Sequence, residues 1–166
     1  MLALHKLAAV VIPATHMLTK HDIVYRNTRA SVKAIICVDD PYVMSQVEAA
    51  LPESPTVEAI VKVGEAPSST PIRSGEARTR ADWHDYHSEI TSFSTFQRPA
   101  EKNDNEDTMI MYFTSGTSGE PKMVAHDYLY AMGHLSTGCF WHNLHEGSLH
   151  LTVADTGWGK AVWGKF

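Results

Sequence analysis

The residues best suited to chemistry crowd together between positions 109 and 122. Apolar residues 109–113 run directly into Thr114, Ser115, Gly116, Thr117, Ser118 and Gly119, and then Glu120, Pro121 and Lys122. This order predicts a buried strand that ends by releasing its backbone into a tight loop. Gly116 and Gly119 permit dihedral angles closed to other residues and let the main chain come close to a ligand. Exposed amide N–H groups, the hydroxyls of Thr114, Ser115, Thr117 and Ser118, and the Lys122 ammonium together suit a polyanion. A glycine-rich segment on its own is ordinarily a plain surface loop. Hydroxyls and glycines ordered in this way and closed by Pro-Lys exceed what a connector needs. The loop is not of the Walker type, because no Gly-Lys-Ser/Thr follows a four-residue spacer from a first glycine.

A second group with chemical potential is Asp155-Thr156-Gly157-Trp158-Gly159-Lys160. It follows a predicted strand at 149–153, at the end where open α/β sheets place their ligands. Asp-Thr-Gly after apolar residues also resembles the aspartic proteases, in which two such aspartates share a proton. That fold is all-β, whereas this chain has one copy of the triplet and several helical segments. Ten histidines are many for 166 residues. His142, His145 and His150 could be drawn as a metal site, but no Cys or carboxylate completes a ligand spacing, so no metal is expected.

These groups must be positioned by the rest of the chain. Leu4, Leu7 and Ala8 have helical spacing, and residues 9–12 read as a buried strand stopped by Pro13. Thr19 with Asp22 has the character of a capping box, followed by an amphipathic segment. A strand is predicted at 33–38. Asp40 then caps a helix that opens on Pro41 and carries Val43, Val47 and Leu51 on one face. Pro52 and Pro55 stop it before a strand at 57–63. The order β-α-β-α-β predicts an α/β fold, a mostly parallel sheet with crossover helices. Residues 64–80 are aperiodic and rich in Pro, Ser, Gly and Arg, which predicts a long mobile loop. Residues 82–96 predict a helix with Trp83, Tyr86, Ile90 and Phe93 packed inward. Residues 99–107 form a charged linker. Past the loop, residues 123–126 predict a short strand. Asp127 then caps a helix to about Cys139 with Tyr128, Met132 and Leu135 inward.

Composition narrows the possibilities further. A chain of 166 residues with 43% hydrophobic content can bury one ordinary core. Fourteen basic and nineteen acidic residues, intermixed along the chain, give a net charge of −5. That balance argues against binding to nucleic acid or to an anionic membrane surface. Cys37 and Cys139 sit among apolar residues without ligand spacing, which predicts reduced, buried thiols. No apolar run is long enough to span a bilayer and no signal peptide is evident, so a cytoplasmic protein is expected.

The stretch from Tyr112 to Lys122 resembles the phosphate-binding signature of the adenylate-forming enzymes: acyl-CoA synthetases, luciferases and peptide-synthetase adenylation domains. Ser118 stands where threonine is commoner, which keeps the hydroxyl. Pro13-Ala14-Thr15-His16-Met17-Leu18 and the run around Thr152, Asp155, Gly157 and Trp158 look closest to the medium-chain acyl-CoA synthetases. The resemblance implies that Thr114, Ser115, Gly116, Thr117, Ser118, Gly119 and Lys122 hold the phosphates of ATP. It places His126, Asp155, Gly157 and Trp158 toward the acyl and CoA side. It also implies a carboxylic acid substrate, ATP, Mg2+ and CoA, with the catalytic lysine outside this chain. Enzymes of the family are several times longer. Residues 1–166 are therefore expected to be one incomplete α/β domain, the central part of an N-terminal AMP-binding domain. Such a piece is expected to be inactive alone and to self-associate through exposed edges. A non-catalytic nucleotide-binding or self-associating module is the alternative.

Overall fold

The computed structural model describes residues 1–64, 82–93, 95–97, 100, 103–115 and 119–162, together with the backbone of residue 163. The predicted loop at 64–80 lies outside these residues apart from Gly64, and so does part of the predicted linker at 99–107. The chain forms two compact units, residues 16–96 and residues 1–15 with 97–166.

The first unit is a parallel sheet with helices. Helix α2 (Lys20–Ala30) begins with a complete capping box, in which the Thr19 side chain accepts from the Asp22 amide and Asp22 accepts from the Thr19 amide. It ends at Ser31, which takes the left-handed conformation. Strand β1 (Ala34–Val38) leads to helix α3 (Pro41–Ala50). The Asp40 carboxylate accepts from the Tyr42 and Val43 amides at 2.9 and 3.0 Å, satisfying two N–H groups the helix cannot. Strand β2 (Ala59–Val63) pairs in parallel with β1, and β3 (Trp83–Asp85) pairs in parallel with β2. Ile23, Val47, Ala50, Leu51, Val57 and Ile60 form the core. The buried polar side chains Asn27 and Ser54 satisfy each other, Asn27 Nδ2 donating to Ser54 Oγ at 3.0 Å.

Residues 82–96 depart from the expected single helix. Trp83–Asp85 form a strand and only Tyr86–Ile90 form a helix, α4. The edge of β2 offers unpaired backbone groups that Trp83 and its neighbours satisfy. Asp85 then caps α4 by accepting from the Ser88 amide at 2.9 Å. Trp83 packs on the core, as the aromatic stripe predicts, but Tyr86, Ile90 and Phe93 are exposed.

The second unit is built on a hairpin. Strand β4 (Thr108–Thr114) and strand β5 (Lys122–Asp127) pair antiparallel, with an irregularity between Thr108 and Ile110. Helix α1 (Leu2–Lys6) precedes the predicted strand at 9–12, of which only Val11 bridges to Ile110, in parallel. Val11 uses both backbone groups on β4, donating to Met109 O and accepting from Met111 N. Pro13 has no N–H with which to extend the ladder. Val11, Met109, Ile110, Tyr112 and Val162 form the core. Helix α5 (Leu129–Ser136) is shorter than predicted and passes into a π-helical turn at Thr137–Trp141. Tyr130 and Ala131 pack on the core, while Met132 and Leu135 face outward, opposite to expectation. Residues 149–153 pair with no strand among the described residues, and Leu149 is fully exposed. Helix α6 (Gly159–Trp163) closes the unit with Ala161 and Val162 buried.

Both cysteines are free, but Cys139 is exposed rather than buried. Cys37 is half-buried, and burial, with the nearby Asp39 charge, pushes its thiol up to about 11. Among the described residues no helix is long and apolar enough to cross a membrane.

Candidate active site

Strand β4 is buried on both faces over Met109, Ile110, Tyr112 and Phe113 before it emerges at exposed Thr114 and Ser115. That burial holds the start of the loop, since fixing a strand so firmly leaves its last residues little freedom. Thr114 pairs with Lys122, so β4 and β5 are the two arms of a hairpin. Thr114 Oγ1 donates to the Lys122 carbonyl at 3.4 Å, which bridges the two arms at the loop's base. Gly119 has φ of +111°, in the region that favours glycine, and a Cβ there would meet no atom within 4 Å. Lys122 is exposed at the first position of β5. Gly116, Thr117 and Ser118 lie outside the described residues.

The alternation of side chains along a strand carries the chemistry inward. Ile110, Tyr112 and Thr114 share one face of β4, and Lys122, Val124 and His126 share the matching face of β5. A line therefore runs from the loop base past Tyr112 to His126. His126 stacks on Tyr130 with ring centroids 3.8 Å apart and planes 17° from parallel. Tyr130 in turn meets His134 edge-on at 4.6 Å, and the Tyr112 ring lies 5.8 Å from that of His126. Burial, with the neighbouring His126, lowers the pKa of His134, which favours its neutral form.

Three further candidates, Asp155, Gly157 and Trp158, sit just before or at the turn that precedes α6. Gly157 lies against the backbone of Ala14 and Thr15, and the Asp155 carboxylate accepts from Thr15 Oγ1 and from the Gly157 amide. Trp158 is 69% exposed. Gly159 reaches the ring of Tyr112, where a Cβ would stand 3.4 Å from Cζ, so this turn and the strand feeding the loop meet at one residue.

Tyr130 and His134 are not among the residues that the sequence singles out, and Tyr112 and Thr15 appear there only within runs that carry a resemblance, without a role of their own. Tyr130 and His134 are four apart and so stack on one helix face, a spacing open to inspection. The partnership of Thr15 with Asp155 spans 140 residues and has no local signature. His142 and His150 do approach, with ring centroids 5.0 Å apart, but no group of three or more His, Cys, Asp or Glu among the described residues could hold a metal.

The fold is that of the acyl-activating adenylate-forming enzymes. An acyl-CoA synthetase from Brucella canis superposes with a TM-score of 0.71 at 18% identity, covering 98% of this chain and 27% of that one. The anthranilate CoA ligase AuaEII, solved with anthranoyl-AMP, gives 0.63 at 20% identity, covering 81% and 23%. The chain matches the AMP-binding enzyme family over residues 1–163 and belongs to it. Human acyl-coenzyme A synthetase ACSM5, mitochondrial, is 30% identical over 158 residues, 95% of this chain and 25% of the relative. Human ACSM3, also mitochondrial, is 32% identical over 155 residues, 93% and 24%. The chain thus spans about a quarter of the length of the curated relatives it matches.

Proposed function

We propose that this chain supplies the triphosphate-binding hairpin of an AMP-forming acyl-CoA synthetase. A carboxylate oxygen attacks the α-phosphorus of ATP, the bond to the β-phosphate oxygen breaks, and pyrophosphate leaves. The CoA sulfur then attacks the carbonyl carbon of the acyl-adenylate and displaces AMP. Loop amides, the hydroxyls of Thr114 and Ser115 and the Lys122 ammonium would stabilise charge gathering on the pyrophosphate. Magnesium would arrive with the nucleotide, since this ion is commonly held by substrate phosphates with one or two carboxylates.

The observation that carries this reading is the hairpin itself. A strand buried on both faces ends in paired Thr114 and Lys122, below a glycine with positive φ and open space around it. From that end Tyr112 and His126 lead to the turn bearing Trp158, which would wall the acyl side. Because 166 residues span a quarter of the relatives' length, the chain by itself is expected to bind nucleotide without turning over.

Calorimetry with Mg-ATP should show binding that Lys122→Ala abolishes, while acid-dependent ATP–pyrophosphate exchange stays at background. Robust exchange by the 166-residue chain would refute its proposed inactivity, and the absence of any ATP-binding signal would remove the proposed role of the loop. The second reading, a self-associating module without catalysis, is favoured by the exposed Phe140, Trp141, Leu149 and Leu151.

A further inference from the structure

The turn at residues 155–159 is tied to a distant part of its own unit. Thr15 Oγ1 donates to Asp155 Oδ2 at 2.8 Å, and the Gly157 amide donates to Asp155 Oδ1 at 2.8 Å. Thr156 Oγ1 donates to the Ala14 carbonyl at 3.0 Å, and the Trp158 amide donates to the Asp155 carbonyl at 3.0 Å. Each Asp155 carboxylate oxygen thus has a partner, and bonds of this charge-assisted kind are the stronger ones. Sterics point the same way. A Cβ on Gly157 would stand 2.8 Å from Thr15 N and 3.2 Å from Ala14 C, and backbone atoms cannot swing aside as a side-chain tip can. Two residues later Gly159 rests on the Tyr112 ring, and Ala161 and Val162 are buried. Trp158 stands between these two anchorages and is itself exposed.

We infer that Thr15 and Asp155 are positioning residues for Trp158. A side chain's rotamers depend on its own φ and ψ, so a tether that fixes residues 155–159 also fixes where the indole points. An exposed ring on a loose turn would lose its freedom when a ligand docked; on this turn much of that ordering is already done. Asp155 acts through the turn and does not itself touch the acyl group. What the ring would contact rests on the proposed function, whereas the tether does not.

The 166-residue chain labelled with 5-fluorotryptophan, without acid or nucleotide, tests the tether directly. Its four tryptophans give four fluorine resonances, and Trp158→Phe identifies the one in question. Thr15→Val should shift or broaden the Trp158 resonance alone and speed exchange of the Gly157 and Trp158 amides about tenfold, the loss expected for one such hydrogen bond. Thr15→Ser, which keeps the hydroxyl, should restore both. Asp155→Asn provides the same reading should Thr15→Val fail to fold. An unchanged Trp158 resonance overturns the inference. Joint movement of the Trp83, Trp141 and Trp163 resonances with it also overturns it, since that marks general loosening. No ligand is present, so failure of the adenylation reading would leave these resonances where they are.

Discussion

His134 shows how placement sets the chemistry of a single side chain. Burial and the neighbouring His126 both oppose its charge, so its pKa falls below the ordinary 6.5. His5 is lowered too, first by burial and then by the N-terminal ammonium, against a bond to Met109 that raises it. An imidazole that resists protonation when folded but accepts it when unfolded leaves the unfolded state with more bound protons. Stability therefore rises with pH through this window and is lost as pH falls below about 6.5. Thermal melting between pH 7.5 and 5.5 should show a falling midpoint, with a shallower slope in His134→Gln. A flat profile in the wild-type chain would contradict this account. The residues Thr114 to Lys122 stand out as candidates from sequence alone because their types and order are local. The i, i+4 spacing of Tyr130 and His134 is local too, but the stacking of His126 on Tyr130 is not legible, since it requires knowing how α5 turns back from β5.

Short-range signals also decided which elements were legible. The Thr19 and Asp40 caps lie where the sequence puts them, because a cap needs only a side chain and the amides two or three residues on. Asp40→Ala should lower stability by about 1 kcal/mol, the usual loss for a carboxylate cap, seen as a lower midpoint in urea without a change of slope. An unchanged midpoint would mean that water serves the Tyr42 and Val43 amides equally well. Residues 82–96 could not be resolved in the same way. Their aromatic periodicity fits a helix, but pairing with β2 outweighs it over Trp83–Asp85, and an edge strand's demand is invisible until its neighbour is placed. The same holds for residues 9–12, where a continuous apolar run stopped by Pro13 predicts a buried strand and the ladder available to it is one bridge long.

Each unit has a core of its own, yet much apolar surface lies outside either core. Phe140 is 88% exposed, Leu149 100% and Leu151 83%, with Met132 and Leu135 exposed on α5 nearby in sequence. Single exposed apolar residues are ordinary, but several large ones within residues 132–153 of one unit leave much apolar area in water, which is costly. Burying a large apolar side chain of this kind against a partner yields roughly 1.5–3 kcal/mol. The face of α5 differs from expectation for a related reason. Amphipathic periodicity predicts Tyr128, Met132 and Leu135 inward, and Tyr128 does pack on the core, but beside it stand Tyr130 and Ala131 rather than Met132 and Leu135. Between association and exposure, the net charge of −5 opposes association only weakly at ordinary salt, where charges farther apart than about 8–10 Å are screened. Sedimentation should therefore show an average mass that climbs above 18.4 kDa with concentration. Combined Phe140→Ser, Trp141→Ser and Leu149→Ser should return it toward the monomer and reduce the binding of a hydrophobic dye. A wild-type chain that stays monomeric up to its solubility limit would show that this surface folds against itself in solution.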